Sequence, residues 1–192
     1  MRALRLVVPW GLLACAHAPP PDVPPPTSPA RYFPLAVGNK WSYRATGAGE
    51  AAVEEVEILG VQDGQYRDSR GRLFWVSQDG LRDQSRVLLR APVEAGRTWT
   101  VRLGPDAVEH WRIVSVGQPC SAPAGRFSDC IQVESRTAAA GGAELLNRIT
   151  FAAEVGIVQI RTALVRGSRE TPQTELVLTA YQVAPPRPRP SS

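Results

Sequence analysis

The chain reads as all-β: a single antiparallel barrel or strongly curved half-barrel sheet, with little helix outside the leader. Three observations carry that reading. From residue 31 to residue 183 apolar and polar side chains alternate with period two, the mark of half-buried strands with one wet face. Turn chemistry breaks these runs at short, regular intervals, most clearly at Asp63-Gly64, Arg70-Gly71 and Asp79-Gly80. No stretch of the body keeps a helical period over three turns.

Ahead of the body, residues 1–14 have the layout of an export signal. Arg2 and Arg5 open it, an apolar run from Leu6 to Leu13 follows, too short to span a bilayer as a stable helix, and a small residue, Ala14, precedes the cut. The ending Leu12-Leu13-Ala14-Cys15 resembles the bacterial lipobox. That resemblance implies a mature chain that begins at Cys15, carries several acyl chains there and lives outside the cytoplasm. Each buried methylene contributes roughly 0.8 kcal/mol, so one chain binds reversibly and two or more hold firmly. In lipoproteins of two-membrane bacteria an Asp just after the lipidated cysteine favours the inner membrane. Ala16 stands there instead, so the expected address is an outer-membrane lipid anchor on the periplasmic side. The plainer alternative is a secretory peptide with a chance cysteine.

Residues 15–30 join the lipidated cysteine to a proline-rich spacer. Proline at this density forbids helix and sheet and favours polyproline II, which rises about 3.1 Å per residue. The commoner use of such a segment is a semi-rigid stalk; the sharper reading is a proline motif for a partner. Residues 31–183 form one domain, and the Pro/Arg tail at residues 184–192 has the composition of disorder.

Within the domain, Trp41 to Arg90 reads as a meander of about five strands. In it Val56 and Ile58 alternate with Glu55 and Glu57. Further strands follow at 98–103, where Trp99, Val101 and Leu103 alternate with Thr100 and Arg102, and at 109–116, 130–136, 144–152, 156–165 and 175–183.

Composition narrows the function classes. Lys40 is the only lysine, and the excess of arginine, alanine, glycine and proline is that of a chain encoded by a GC-rich genome. Once Arg2, Arg5, Arg187 and Arg189 are set aside with the leader and tail, acids and bases in the body nearly cancel, so no basic stripe for nucleic acid is supported. With Cys15 taken by lipid, Cys120 and Cys130 remain as an even pair in an oxidising compartment. They flank the turn-rich stretch Ser121-Ala122-Pro123-Ala124-Gly125, where a disulfide closes a hairpin; the alternative is two free thiols.

Four segments carry a family resemblance: Phe33-Pro34-Leu35-Ala36-Val37-Gly38-Asn39-Lys40-Trp41-Ser42-Tyr43, the stretch from Leu88 to Trp99 with its apolar pair, proline, Gly96 and Trp99, Pro123 to Cys130, and Ala153 to Val158. Together they resemble a broad group of bacterial envelope proteins known as domains of unknown function, similar in outline to half-barrel lipoprotein carriers. The resemblance implies a curved sheet with a concave apolar face. Its motifs are structural, with Gly38, Gly96, Gly125 and Gly156 at turns or close backbone approaches, and it brings no catalytic residue.

Candidate chemistry in the body is sparse. His110, between Glu109 and Trp111, is a lone histidine; a metal site needs several ligands, and no Gly-x-Ser-x-Gly elbow accompanies it, so neither a metal, a cofactor nor an enzyme is expected. Trp41, Tyr43, Trp75, Trp99 and Trp111 fit a stacking platform for sugars, but more simply they fill a barrel. Glu54, Glu55 and Glu57 suggest a calcium cluster or, more simply, one solvated strand face. The expected function is a membrane-tethered binding or interaction module for a protein or an apolar ligand, its ligand-binding residues unknown. The alternative is a carrier of lipid or lipoprotein. A filled interior favours the module, and a sizeable apolar cavity the carrier. We predict that a fatty-acid analogue fed to cells labels the wild type and not Cys15→Ser; equal labelling of both would sink the lipid anchor.

Overall fold

The computed structural model describes residues 27–47, 49–105 and 107–184; Cys15, the leader, all but the end of the spacer, and the tail from residue 185 lie outside them. The period-two runs form antiparallel strands, joined in one sheet: β1 (Lys40–Thr46), β2 (Ala52–Gln62), β3 (Gln65–Asp68), β4 (Leu73–Ser77), β5 (Gly80–Asp83), β6 (Val87–Arg90), β7 (Thr98–Arg102), β8 (Val108–Ala122), β9 (Gly125–Ala139), β10 (Ala143–Ala152), β11 (Gly156–Arg166) and β12 (Arg169–Gln182). A short helix, α1 (Pro29–Tyr32), precedes them. The first meander holds six strands, β1 to β6, because β3 and β5 have four residues each, too few to show a period of their own. β12 begins at Arg169 rather than near Glu175. Its first six residues are exposed, so alternation is silent there and the ladder to β11 alone extends the strand.

Every strand pairs with its neighbours in the chain except β6 and β7, which do not pair with each other, and β1 pairs in addition with β12. The meander thus closes through its two ends, and its break falls mid-chain, between β6 and β7. Register shifts at Ser42/Tyr43, Ile58/Gly60, Leu81/Arg82 and Ile113/Ser115 bend the strands, and bulges of this kind raise the local twist. The result is a nearly closed all-β barrel.

Side chains rather than a ladder seal the break. Trp99 on β7 faces Trp111 on β8, with ring centres 5.7 Å apart and planes within 14°. The Trp99 indole Nε1 donates to the Val87 carbonyl on β6 at 3.0 Å, spanning the gap. Beside it Glu109, only 3% exposed, joins both sides: Oε1 meets Arg86 Nη1 at 2.9 Å and Oε2 accepts from Trp111 Nε1 at 2.9 Å.

One end of the barrel is stoppered by residues 27–39. Phe33 stacks on Trp41 at 5.5 Å, and the Trp41 indole donates to the Val155 carbonyl at 2.6 Å. Gly156 permits that bond: its φ is +114° and an added Cβ would lie 3.1 Å from Trp41 Nε1. Tyr32 is buried with its hydroxyl donating to Asp129 Oδ1 at 3.0 Å; burial, with Asp129 beside it, pushes its phenol up to about 12. Buried Asn39 donates to the Pro34 carbonyl and accepts from the Ala184 backbone, so both ends of the body meet at this floor. The Cys120–Cys130 disulfide is present, with Cα atoms 6.0 Å apart, and crosses the β8–β9 hairpin just before its turn.

We predict that Glu109→Ala, which strands the Arg86 guanidinium and the Trp111 N–H at the break, lowers unfolding free energy by about 2–4 kcal/mol. A urea midpoint equal to wild type would contradict this account of closure.

Candidate functional site

Alternation aims Trp41 and Tyr43 of β1, Val56 and Ile58 of β2, Phe74 of β4, Trp111 of β8 and Ile149 of β10 inward, yet they leave space between them. They line a cavity of about 580 Å³. Phe33 and Trp41 belong to its floor, and Leu88, Ile160 and Leu176 complete the apolar wall. The expectation that tryptophans fill the interior is therefore corrected. Side chains just fill a barrel of about eight strands, and a larger number encloses a wider lumen. Trp41, Trp99 and Trp111 are buried, but Trp75 is half-buried on the outer face under the Arg82 guanidinium, because Phe74 takes the inward position on β4. The tryptophans share no open face, so they form no platform.

Polar groups inside are tied to one another. Asn147 donates to the Ser135 hydroxyl at 3.3 Å and accepts from the Thr162 hydroxyl at 2.9 Å. Tyr43 donates to the Ile157 carbonyl at 3.0 Å. Burial pushes the Tyr43 phenol far up, against Arg72 and Arg70, which pull it down.

The mouth lies at the end opposite the floor, where two turns of like construction meet it. Between β3 and β4, buried Asp68 accepts from the backbone N–H of Arg70 and Arg72 at 2.9 and 2.8 Å, which places both arginines at the rim. Between β5 and β6, Asp83 Oδ1 accepts from the Ser85 and Arg86 backbone, each at 2.8 Å, and delivers Arg86 to the same rim. Sequence reasoning passed over these arginines because it treated arginine as a compositional excess. The signals were Asp68-Ser69-Arg70-Gly71-Arg72 and Asp83-Gln84-Ser85-Arg86, in each of which an aspartate organises the turn that carries the cation.

The other candidates scatter. His110 is exposed on the outer face of β8, opposite Thr100 and Arg136, while its neighbours Glu109 and Trp111 turn inward. The three glutamates do not share a face: Glu54 follows Val56 and Ile58 inward, reaches the cavity rim and pairs with Arg70 at 2.8 Å, whereas Glu57 points outward to Lys40 at 2.9 Å. Among the described residues no three His, Cys, Asp or Glu side chains gather as metal ligands. Cys120 and Cys130 lie toward the floor end, away from the cavity lining, and Cys15 is outside the described residues.

No family model and no curated protein matches the chain, so the likeness of its four segments to envelope domains of unknown function rests on those segments alone. Among solved structures it aligns with a Parabacteroides distasonis protein provisionally named a lipoprotein, with a TM-score of 0.45 and 13% identity over 79% of this chain and 98% of that one.

Proposed function

We propose that the protein is a periplasmic lipoprotein, anchored to the outer membrane through Cys15, whose barrel binds an apolar ligand in its lumen. The observation that carries the binding reading is the cavity itself. Native interiors are close-packed, and an open-mouthed space of about 580 Å³ walled by inward-facing Trp41, Val56, Ile58, Phe74 and Ile149 is concave and mostly apolar, as ligand sites are. The lipobox-like ending at Cys15 and the proline run behind it support the tether. The described chain enters the barrel at the floor, where Thr27 accepts a hydrogen bond from the Val93 backbone, and the cavity opens at the other end. The segment that leads back to Cys15 therefore joins the barrel at the end away from the mouth. That arrangement suits a holder or carrier of a lipid-like molecule better than a module acting only through its outer surface.

The neutral dye N-phenylnaphthylamine, which brightens in apolar surroundings, tests the reading. We predict saturable binding to the wild type with quenching of tryptophan emission, since Trp41 and Trp111 line the cavity. In Ile160→Trp, which fills the lumen from β11, dye binding falls by roughly tenfold or more while the circular dichroism of the sheet is kept, because a bulky insertion into a void displaces the ligand before it strains the wall. Undiminished dye binding in a folded Ile160→Trp barrel would rule the cavity out as the site.

A further inference from the structure

The rim of the cavity carries a reading that rests on the proposal that an apolar ligand occupies the lumen. Three guanidiniums stand there: Arg70, Arg72 and Arg86. Each is ion-paired on one side, Arg70 with Glu54, Arg72 with Asp68 and Arg86 with Glu109, and Asp83 stands at the same rim. Asp68 is 1% exposed and spends its oxygens on the backbone N–H of Arg70 and Arg72 and on Arg72 Nε. Asp83 Oδ1 accepts from the Ser85 backbone, the Ser85 hydroxyl and the Arg86 backbone. Glu109 lies buried at the seam, shared by Arg86 and the Trp111 indole. Glu54 alone reaches across the rim, to Arg70 Nη1.

Each guanidinium therefore keeps N–H donors with no partner among the described residues: Nη1 and Nη2 of Arg72, Nη2 of Arg86, Nε and Nη2 of Arg70. The Arg72 guanidinium carbon sits 5.3 Å from the ring centre of Phe74, where the apolar wall meets the opening. A guanidinium fork with unused donors, set above an apolar lumen, is suited to a planar carboxylate or a phosphate.

We propose that this rim is an anion-binding subsite, and that the ligand is an amphiphile with one anionic head, carboxylate or phosphate, on a single apolar chain. The volume agrees: it lies in the range of small-molecule sites, roughly 300–1,000 Å³, which suits one chain rather than a multi-chain lipid.

Competition against bound N-phenylnaphthylamine on the purified full chain tests this, using decanoate, decyl phosphate, decanol and decyltrimethylammonium. The two anions should displace the dye at roughly tenfold lower concentration than decanol, with the cation weakest, and whichever anion is tighter identifies the head. The advantage over decanol should narrow as salt rises, a readout that needs no variant. In Arg70→Gln/Arg72→Gln it should vanish while decanol is unaffected, and Arg136→Gln on the outer face should leave it intact. Equal displacement by anions and decanol in the wild type, or a preference for the cation, would overturn the subsite and leave the cavity reading standing. Failure of all four to displace a bound dye would overturn both.

Discussion

Closure at the β6–β7 break is the constraint on which the rest of this structure depends. Twelve strands in a plain meander would present two long edges, and unpaired edges invite pairing with other chains. Here β1 and β12 join, which moves the gap among the described strands to the middle of the chain. A gap cannot be closed by hydrogen-bonded strands that splay apart, so indoles and one ion pair close it instead. Trp99 bonds across to Val87, and Glu109 holds Arg86 on one side and Trp111 on the other. Burying a carboxylate is costly unless its oxygens are all used, and both Glu109 oxygens are used.

A closed sheet of this size has a consequence for the interior. The lumen is wider than side chains can span, so the barrel needs a stopper at one end and keeps space at the other. Phe33 on Trp41, the Tyr32–Asp129 contact and the Asn39 bridge to Ala184 supply the stopper at the end where the described chain enters and leaves. The remaining space has apolar walls and an arginine-bearing rim built by two aspartate-centred turns. The outer face is of a different kind: Arg148 meets Glu134 at 2.7 Å, and Arg161 meets Glu175 at 2.7 Å. Such solvent-accessible pairs, the first of them half-buried, contribute little stability and mark a wetted surface.

Alternation and turn residues made the strands legible, since Val56, Ile58 and Trp99 face a core and Asp63-Gly64 and Asp79-Gly80 fall between strands. The pairing of Cys120 with Cys130 was legible for the same local reason: a turn lies between them. What stayed hidden depends on distant parts of the chain. Neighbouring positions 74 and 75 are both aromatic, so only register decides that Phe74 faces the lumen and Trp75 does not. Glu109 looked like a companion of an exposed histidine, and only the approach of β6 to β7 and β8 makes it a buried tie. Whether an interior is filled or open follows from strand number and curvature, which no single run of residues encodes. The expectation of a tryptophan-filled interior failed for that reason.

The central claim is that the lumen holds one amphiphile in the living envelope, and native mass spectrometry of the protein extracted gently from its own membrane tests it most directly. The account predicts the mass of the chain plus a single small lipid-like molecule, released on collisional activation and missing from Ile160→Trp. A bare chain in the wild type, or the same added mass in the lumen-filled variant, would contradict it.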